Sequence, residues 1–260
     1  MALTREFKKD KLEIKCYGSR ESMGEAAACD AANTVRELLK QKDEVNMIFA
    51  AAPSQNEMLA ALIREKGIDW TRVNAFHMDE YIGLPADAPQ GFGNFLKERI
   101  FSRLPLKSVH YLNGQCTNRE AECRRYSELL EAFPVDVVCL GIGENGHIAF
   151  NDPSVADFHD SKLVKVVGLD SVCRGQQVHD GCFKELADVP THALTLTIPA
   201  LTRGKHMFCV VPASTKAQAV RRMVEGDIAE ACPASILRLH EHAVLYLDGE
   251  SSSLLKGNAK

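Results

Sequence analysis

The sequence predicts an α/β fold built on a mostly parallel sheet, and three observations carry that prediction. Apolar runs too short for typical helices, such as residues 45–52 (VNMIFAAA) and 135–140 (VDVVCL), read as strands buried on both faces, as parallel sheets require. Segments with apolar residues at helical spacing stand between them. Several of the runs end in a turn rich in Gly, Pro, Ser or Asn, the place where parallel sheets bind ligands.

Taken in order, residues 12–17 alternate and form a first strand, and residues 22–40 form a long amphipathic helix with Ala26, Ala27, Ala31, Val35, Leu38 and Leu39 on one face. Strand 45–52 ends at Pro53-Ser54-Gln55-Asn56, which opens a helix over 57–66. A strand, a short polar turn and a helix start together make an anion site, because the first-turn N–H groups and the helix dipole both favour negative charge. Ser54 reads equally as an ordinary N-cap. Strand 72–77 runs directly into Met78-Asp79-Glu80-Tyr81, and helices follow over 94–103 and 119–133. Strand 135–140 opens into GIGENGHIAFNDP. Strands are expected at 163–167 and 193–198, with a polar, glycine-punctuated stretch at 171–183 between them that suits a mobile segment over a pocket. A buried strand at 207–211 ends at Pro212-Ala213-Ser214-Thr215-Lys216, where a helix over 217–225 begins. Lysine at a helix start opposes the dipole, so its placement makes most sense facing an anion, although a plain surface lysine is the alternative. A short helix at 235–240 and a strand at 243–248 complete a single domain spanning residues 1–260, without repeat or linker, and residues 251–260 are expected to fray.

Bulk properties narrow the function. The 260 residues are 45% hydrophobic and carry a net charge of −4 with both signs dispersed, so no basic footprint for nucleic acid exists. No apolar run reaches the length of a membrane span, and the first fifteen residues lack a signal-peptide core. Nine cysteines, an odd number without a CxxC, read as reduced thiols in a cytoplasmic protein rather than as a disulfide or metal framework. His240-Glu241-His242 has no third ligand at a recognisable spacing, and no metal is expected.

The chemistry-bearing residues fall at the strand ends. Adjacent carboxylates Asp79 and Glu80 precede Tyr81, Ile82 and Leu84, so the loop is partly buried, and burial raises a carboxyl pKa toward that of a general base near neutral pH. His147 brings a group that exchanges protons near neutral pH, with Asp152 available to orient it and the loop glycines allowing close backbone approach. With two anion-binding turns, these residues suit a small phosphosugar substrate and proton abstraction beside a carbonyl. By themselves they leave isomerase and hydrolase open.

FHMDEYIGLP and GIGENGHIAFNDP together resemble the glucosamine-6-phosphate deaminase (isomerase) family, related to 6-phosphogluconolactonases, and the similarity extends over nearly the whole chain. The resemblance implies a Rossmann-like three-layer α/β/α sandwich. It also implies conversion of glucosamine 6-phosphate and water to fructose 6-phosphate and ammonia, with no metal or organic cofactor. By the motif match Asp79 is the base that moves the C2 proton to C1, His147 opens the ring at O5, and Asn145 and Asp152 support His147. Ser54, Gln55, Glu80, Gly143, Arg174 and Lys216 are the substrate-binding candidates. The chain departs from the family pattern in three places. Its phosphate turn reads Ala51-Ala52-Pro53-Ser54-Gln55 rather than being rich in Gly and Thr. Asp152 stands where many members have glutamate, and the 171–183 segment lacks the usual arginine spacing. A 6-phosphogluconolactonase-like hydrolase and a non-catalytic sugar-phosphate sensor are the alternatives. Both a monomer and a homo-oligomer fit the sequence.

Overall fold

A computed structural model describes residues 3 to 257. The chain opens with a hairpin, β1 (Leu3–Lys9) and β2 (Leu12–Tyr17), and then alternates. Helix α1 (Arg20–Gln41) leads to β3 (Val45–Phe49), and α2 (Asn56–Arg64) leads to β4 (Val73–His77) and a three-residue β5 (Asp79–Tyr81). Then follow α3 (Phe92–Leu96), β6 (Ser108–His110), α4 (Arg119–Ala132) and β7 (Val137–Leu140). The last third comprises β8 (Val164–Gly168), α5 (Ser171–His179), β9 (His192–Leu196), α6 (Ile198–Thr202), β10 (His206–Val211), α7 (Ala217–Glu225) and β11 (Ala243–Leu247).

Eight strands make one sheet in the order β1-β2-β11-β10-β7-β3-β4-β6. Every pairing in it is parallel except β1 with β2. Successive residues of the central strands face opposite core layers. Ile48, Val138, Leu140 and Cys209 pack with Tyr126 and Leu130 of α4 and with Val220 and Met223 of α7. Met47, Phe49, Val137, Cys139 and Val210 pack with α1 and α2 through Ala27, Ala31, Val35, Met58 and Leu62. This is the three-layer sandwich, and it explains why these strands read as unbroken apolar runs.

The chain works outward from β3 through β4 to β6, then returns to lay β7 on the other side of β3. The connections leaving β3 and β7 therefore diverge to opposite faces, which opens a crevice at their C-terminal ends.

Several elements were not read from the sequence, the short β6 and α6 among them. Strand β1, LTREFKK, is an exposed, charge-rich edge whose only partner is β2, so it lacks an apolar signal. Strand β5 is too short for periodicity and exists through its partners: it pairs with β9, which pairs with β8, in a separate antiparallel sheet. Segment 171–183, expected to be a mobile segment over a pocket, does lie over the cavity and contains helix α5, whose start is capped by Asp170 accepting from the Cys173 N–H at 2.7 Å. The tail is also better held than expected: Ser251, Ser252 and Leu255 are buried, while residues 258–260 lie outside the described residues.

Helices α1 and α2 touch most closely at Gly24, where an added Cβ would lie 2.5 Å from Cβ of Glu57 and 2.9 Å from its carbonyl carbon. Backbone atoms cannot yield as a side-chain tip does. Gly24→Ala is expected to destabilise the fold by about 1–3 kcal/mol, and urea unfolding at equal m-value would measure it.

Candidate active site

The crevice between the ends of β3 and β7 is a real cavity. Its walls come from the turn after β3 (Ala50–Ala52, Ser54, Gln55), from Met78 and Asp79 after β4, and from the loop after β7 (Gly141–Gly143, His147, Ala149, Phe150). Gln176 and Gln177 of α5 close it. Its free volume is about 50 Å³, small against a sugar phosphate.

Asp79 is held in this wall by β5. Its backbone pairs with Thr195 of β9, and strand alternation sends Asp79 and Glu80 to opposite sides. Burial first, and the Glu80 charge second, push the Asp79 carboxyl well above the ordinary carboxylate range. Glu80 behaves in the opposite way. It accepts from the N–H groups of Phe92 at 3.0 Å and Gly93 at 2.8 Å at the start of α3, and from its neighbour Tyr81 N–H at 2.9 Å. His77 Nε2 approaches it at 3.5 Å, and because His77 Nδ1 accepts from the Leu112 N–H, Nε2 carries the proton. Burial raises the Glu80 pKa, but His77 and these amides outweigh it and hold the group below the usual value. Two adjacent carboxylates are thus driven apart in pKa, the pattern expected where one serves as a proton acceptor and the other as a fixed charge. Glu80 lines a different hollow from the one that holds Asp79, and its oxygens accept from the α3 start.

The loop after β7 is built around the His147 ring. A Cβ at Gly143 would stand 2.1–2.4 Å from three ring atoms, so only glycine admits the ring there, and the Gly143 N–H donates to the His147 carbonyl at 2.9 Å. Gly146 has φ +92, which favours glycine, and a Cβ there would also press on Cys232 Sγ at 2.8 Å. Nδ1 of His147 lies 2.9 Å from Oδ1 of Asp152 in a bent contact. Asn145 donates to the same Asp152 oxygen at 2.9 Å and accepts from the His147 N–H at 3.0 Å. Burial raises the Asp152 pKa, yet His147, Asn145 and the Asp170 N–H together hold it low, so Asp152 is a carboxylate facing the imidazole. His147, Asn145 and Asp152 thus form one cluster, and His147 shares the cavity wall with Asp79.

The anion end lies on the β3 and β10 side. Gln55 donates from Nε2 to the Val210 carbonyl and to Ser54 Oγ, both at 3.2 Å, and its Oε1 is buried without a donor. Lys216 ends the turn after β10. It does not wall the cavity itself, but its Nζ is buried with no partner among the described residues, and burial lowers its pKa despite the Asp180 and Glu144 charges. A buried ammonium without a partner is costly in the chain alone and points to an anionic ligand. The turn carrying it includes Ala213 at φ +79, ψ 151, a conformation that disfavours any residue but glycine. Ala149, in the cavity wall, has φ +47. Arg174 stands outside the lining of this cavity: its guanidinium donates to the carbonyls of Leu186 and Val189, clamping the turn after α5. Gln176 and Gln177 were missed because nothing in SVCRGQQVH marks which face of the helix turns inward.

His240 and His242 gather no third ligand. Among the described residues, one trio of ligand atoms lies within 4.8 Å, from His147, Asp152 and Cys173. Burial and the Asp152 and Asp170 charges push the Cys173 thiol far up, so it stands there as a protonated thiol. Among the described residues no helix is long and apolar enough to cross a membrane.

Residues 18–246 match the family described as glucosamine-6-phosphate isomerases/6-phosphogluconolactonase. The chain belongs to this family. It is 37% identical over 212 residues to the glucosamine-6-phosphate deaminase of Listeria monocytogenes serotype 4a, covering 82% of this chain and 88% of that relative. It is 34% identical over 220 residues to that of Bacillus cereus, covering 85% of this chain and 82% of the relative. Among solved structures, a monomeric glucosamine-6-phosphate deaminase superposes with a TM-score of 0.84 at 30% identity, covering 93% of this chain and 99% of that one. The 6-phosphogluconolactonase of Thermotoga maritima follows the same fold, with a TM-score of 0.75 at 20% identity, covering 92% and 100%. The isomerase/lactonase family thus accounts for the sandwich, and the crevice at its sheet's switch point is where this member gathers its titratable groups.

The raised Asp79 pKa carries a stability signature. Below about pH 3.9 folded and unfolded chains both keep this proton. As pH rises from there through the folded-state pKa, the folded protein must give up a proton the unfolded chain has already lost, and stability falls across that window. Asp79→Asn removes the penalty. Thermal melts should show it at least ~2 °C more stable at pH 7, with the gain shrinking as pH falls toward 4. A variant less stable at pH 7 would mean that the carboxylate is not desolvated.

Proposed function

We propose that the protein converts glucosamine 6-phosphate and water to fructose 6-phosphate and ammonia. The observation that carries this reading is a buried carboxyl with a raised pKa, Asp79, sharing one cavity with a carboxylate-backed imidazole, His147. His147 passes a proton to O5 as the pyranose opens. Asp79 takes the C2 proton and returns it to C1, leaving a C2 imine that water hydrolyses with loss of ammonia. Ser54, Gln55 and Lys216 hold the phosphate end, with Gly143 giving the backbone room. Both deaminase relatives at 34–37% identity agree with this reading. All nine cysteines are free, which suits a reducing compartment such as the cytoplasm.

A lactonase reading has the shared fold behind it, but hydrolysis of a lactone needs no base at C2, and Asp79 would then be buried at a cost without a task. A sugar-phosphate sensor would need the anion contacts and not the proton-transfer pair. The purified protein is expected to release ammonia from glucosamine 6-phosphate and to keep doing so in chelator. C2 proton exchange with solvent deuterium should fall at least ~10²-fold in Asp79→Asn. Exchange at the wild-type rate would remove Asp79 from the role and make Glu80 the next candidate, despite its commitment to α3.

Lys216→Ala tests the anion end. Loss of an ionic hydrogen bond worth about 1.5–3 kcal/mol should raise KM roughly ten- to a hundredfold. Unchanged KM for the phosphorylated sugar would place the phosphate elsewhere.

A further inference from the structure

Helix α5 meets the His147 loop at its first residue boundary, through Asp170. This aspartate caps α5 with Oδ1, which accepts from the Cys173 N–H at 2.7 Å. Its other oxygen, Oδ2, accepts from Asn145 Nδ2 at 3.1 Å, and its own N–H donates to Asp152 Oδ2 at 3.2 Å. Asn145 is thereby saturated: its amide nitrogen serves Asp152 and Asp170, and its oxygen accepts from the His147 N–H. Asp152 likewise uses one oxygen on Asn145 and His147 and the other on Asp170. Two turns along α5, Gln176 accepts from the Glu144 N–H at 2.9 Å and, with Gln177, closes the cavity.

We propose that Asp170 is a positioning residue that couples the seating of α5 to the orientation of the His147–Asp152 pair. The free volume beside Gln176 and Gln177 is small against a sugar phosphate, and in this proposal a sugar enters by displacing α5. Motion at the start of α5 takes from Asn145 and Asp152 two of the partners that hold them. When α5 returns over a bound sugar, Asp170 restores those bonds, and the imidazole is fixed only in the closed, water-excluding state. The same geometry accounts for asparagine at 145. An aspartate there would set three carboxylates against one another, whereas the amide bridges Asp152 and Asp170 with its two N–H donors.

The role given to His147 rests on the proposed deaminase reading, so the test has one arm that does not depend on turnover. Asp170→Ser keeps a capping oxygen for α5 and removes the oxygen that meets Asn145. Asp170→Asn keeps the shape but, when its oxygen caps the helix, presents a donor to the Asn145 donor. In both variants, amide hydrogen exchange of the 143–152 loop is expected to speed up about tenfold or more, the loss of a hydrogen bond to a charged group. In turnover the loss should fall on kcat, about tenfold or more, with KM moving less than about threefold. In an Asn145→Ala background Asp170→Ser should cost less than about twofold further, because the two residues act as one unit. Faster exchange confined to α5, a loss confined to KM, or additivity with Asn145→Ala would each show that Asp170 is only a helix cap, and overturn the proposal. Should the wild type release no ammonia, the deaminase reading fails, while the exchange measurement still decides the coupling.

Discussion

The rest of the site depends on a carboxyl group kept in a dry wall with no donor to stabilise its charge. Asp79 would relax toward water or find a partner if its backbone were free, and β5 prevents both. Pairing with β9 fixes which way the side chain faces, and β9 is itself held by β8. The neighbour Glu80 is denied the neutral alternative because the α3 start and His77 stabilise its charge. Repulsion between adjacent carboxylates is then resolved in one direction only, with Asp79 as the group that protonates. An uncompensated polar burial costs about 1–3 kcal/mol, and the large apolar layers on both sheet faces are what offset it.

The same economy of partners governs the other half of the site. His147 stands against Gly143 where any side chain would collide with it, and its imidazole meets a carboxylate that is itself fully engaged. The small antiparallel sheet again takes part: Thr195 accepts from the Phe150 N–H and the Leu196 carbonyl accepts from Asn151 Nδ2, so β9 positions both the Asp79 strand and the His147 loop. One short strand thereby places Asp79 and the His147 loop relative to each other. Two residues with left-handed backbone, Ala149 and Ala213, lie in the two loops that line or flank the cavity. Such strain persists only where the surroundings over-determine it.

The turns after β3 and β10 and the inner face of α5 carry mostly neutral polar groups. Ser54, Gln55 and Gln177 offer neutral dipoles, and Lys216 is the buried cation of the group, while Arg174 is spent on backbone carbonyls. In the proposed reading, such a lysine meets an anion by charge at one point, and the amides add directional hydrogen bonds elsewhere. Such a pocket rewards shape and hydroxyl pattern as well as charge.

Much of this was legible in the chain itself. Unbroken apolar runs such as VNMIF and VVCL announce doubly buried strands because a parallel sheet covered on both faces leaves no polar side to alternate with. The glycine loop and MDEY stand out because backbone room and paired carboxylates are local requirements, satisfied by neighbours in sequence. What tertiary structure alone decided is which of two adjacent acids is dry. That follows from the β9 pairing and the α3 start, made by residues far along the chain from Asp79 or invisible to periodicity. It also decided that SVCRGQQVH is a helix whose Gln176 and Gln177 line the cavity, that Arg174 bonds the Leu186 and Val189 carbonyls, and that Asp170 reaches Asn145 across twenty-five residues. Contacts of that kind are set by how the sheet and helices pack, and no spacing within a segment encodes them.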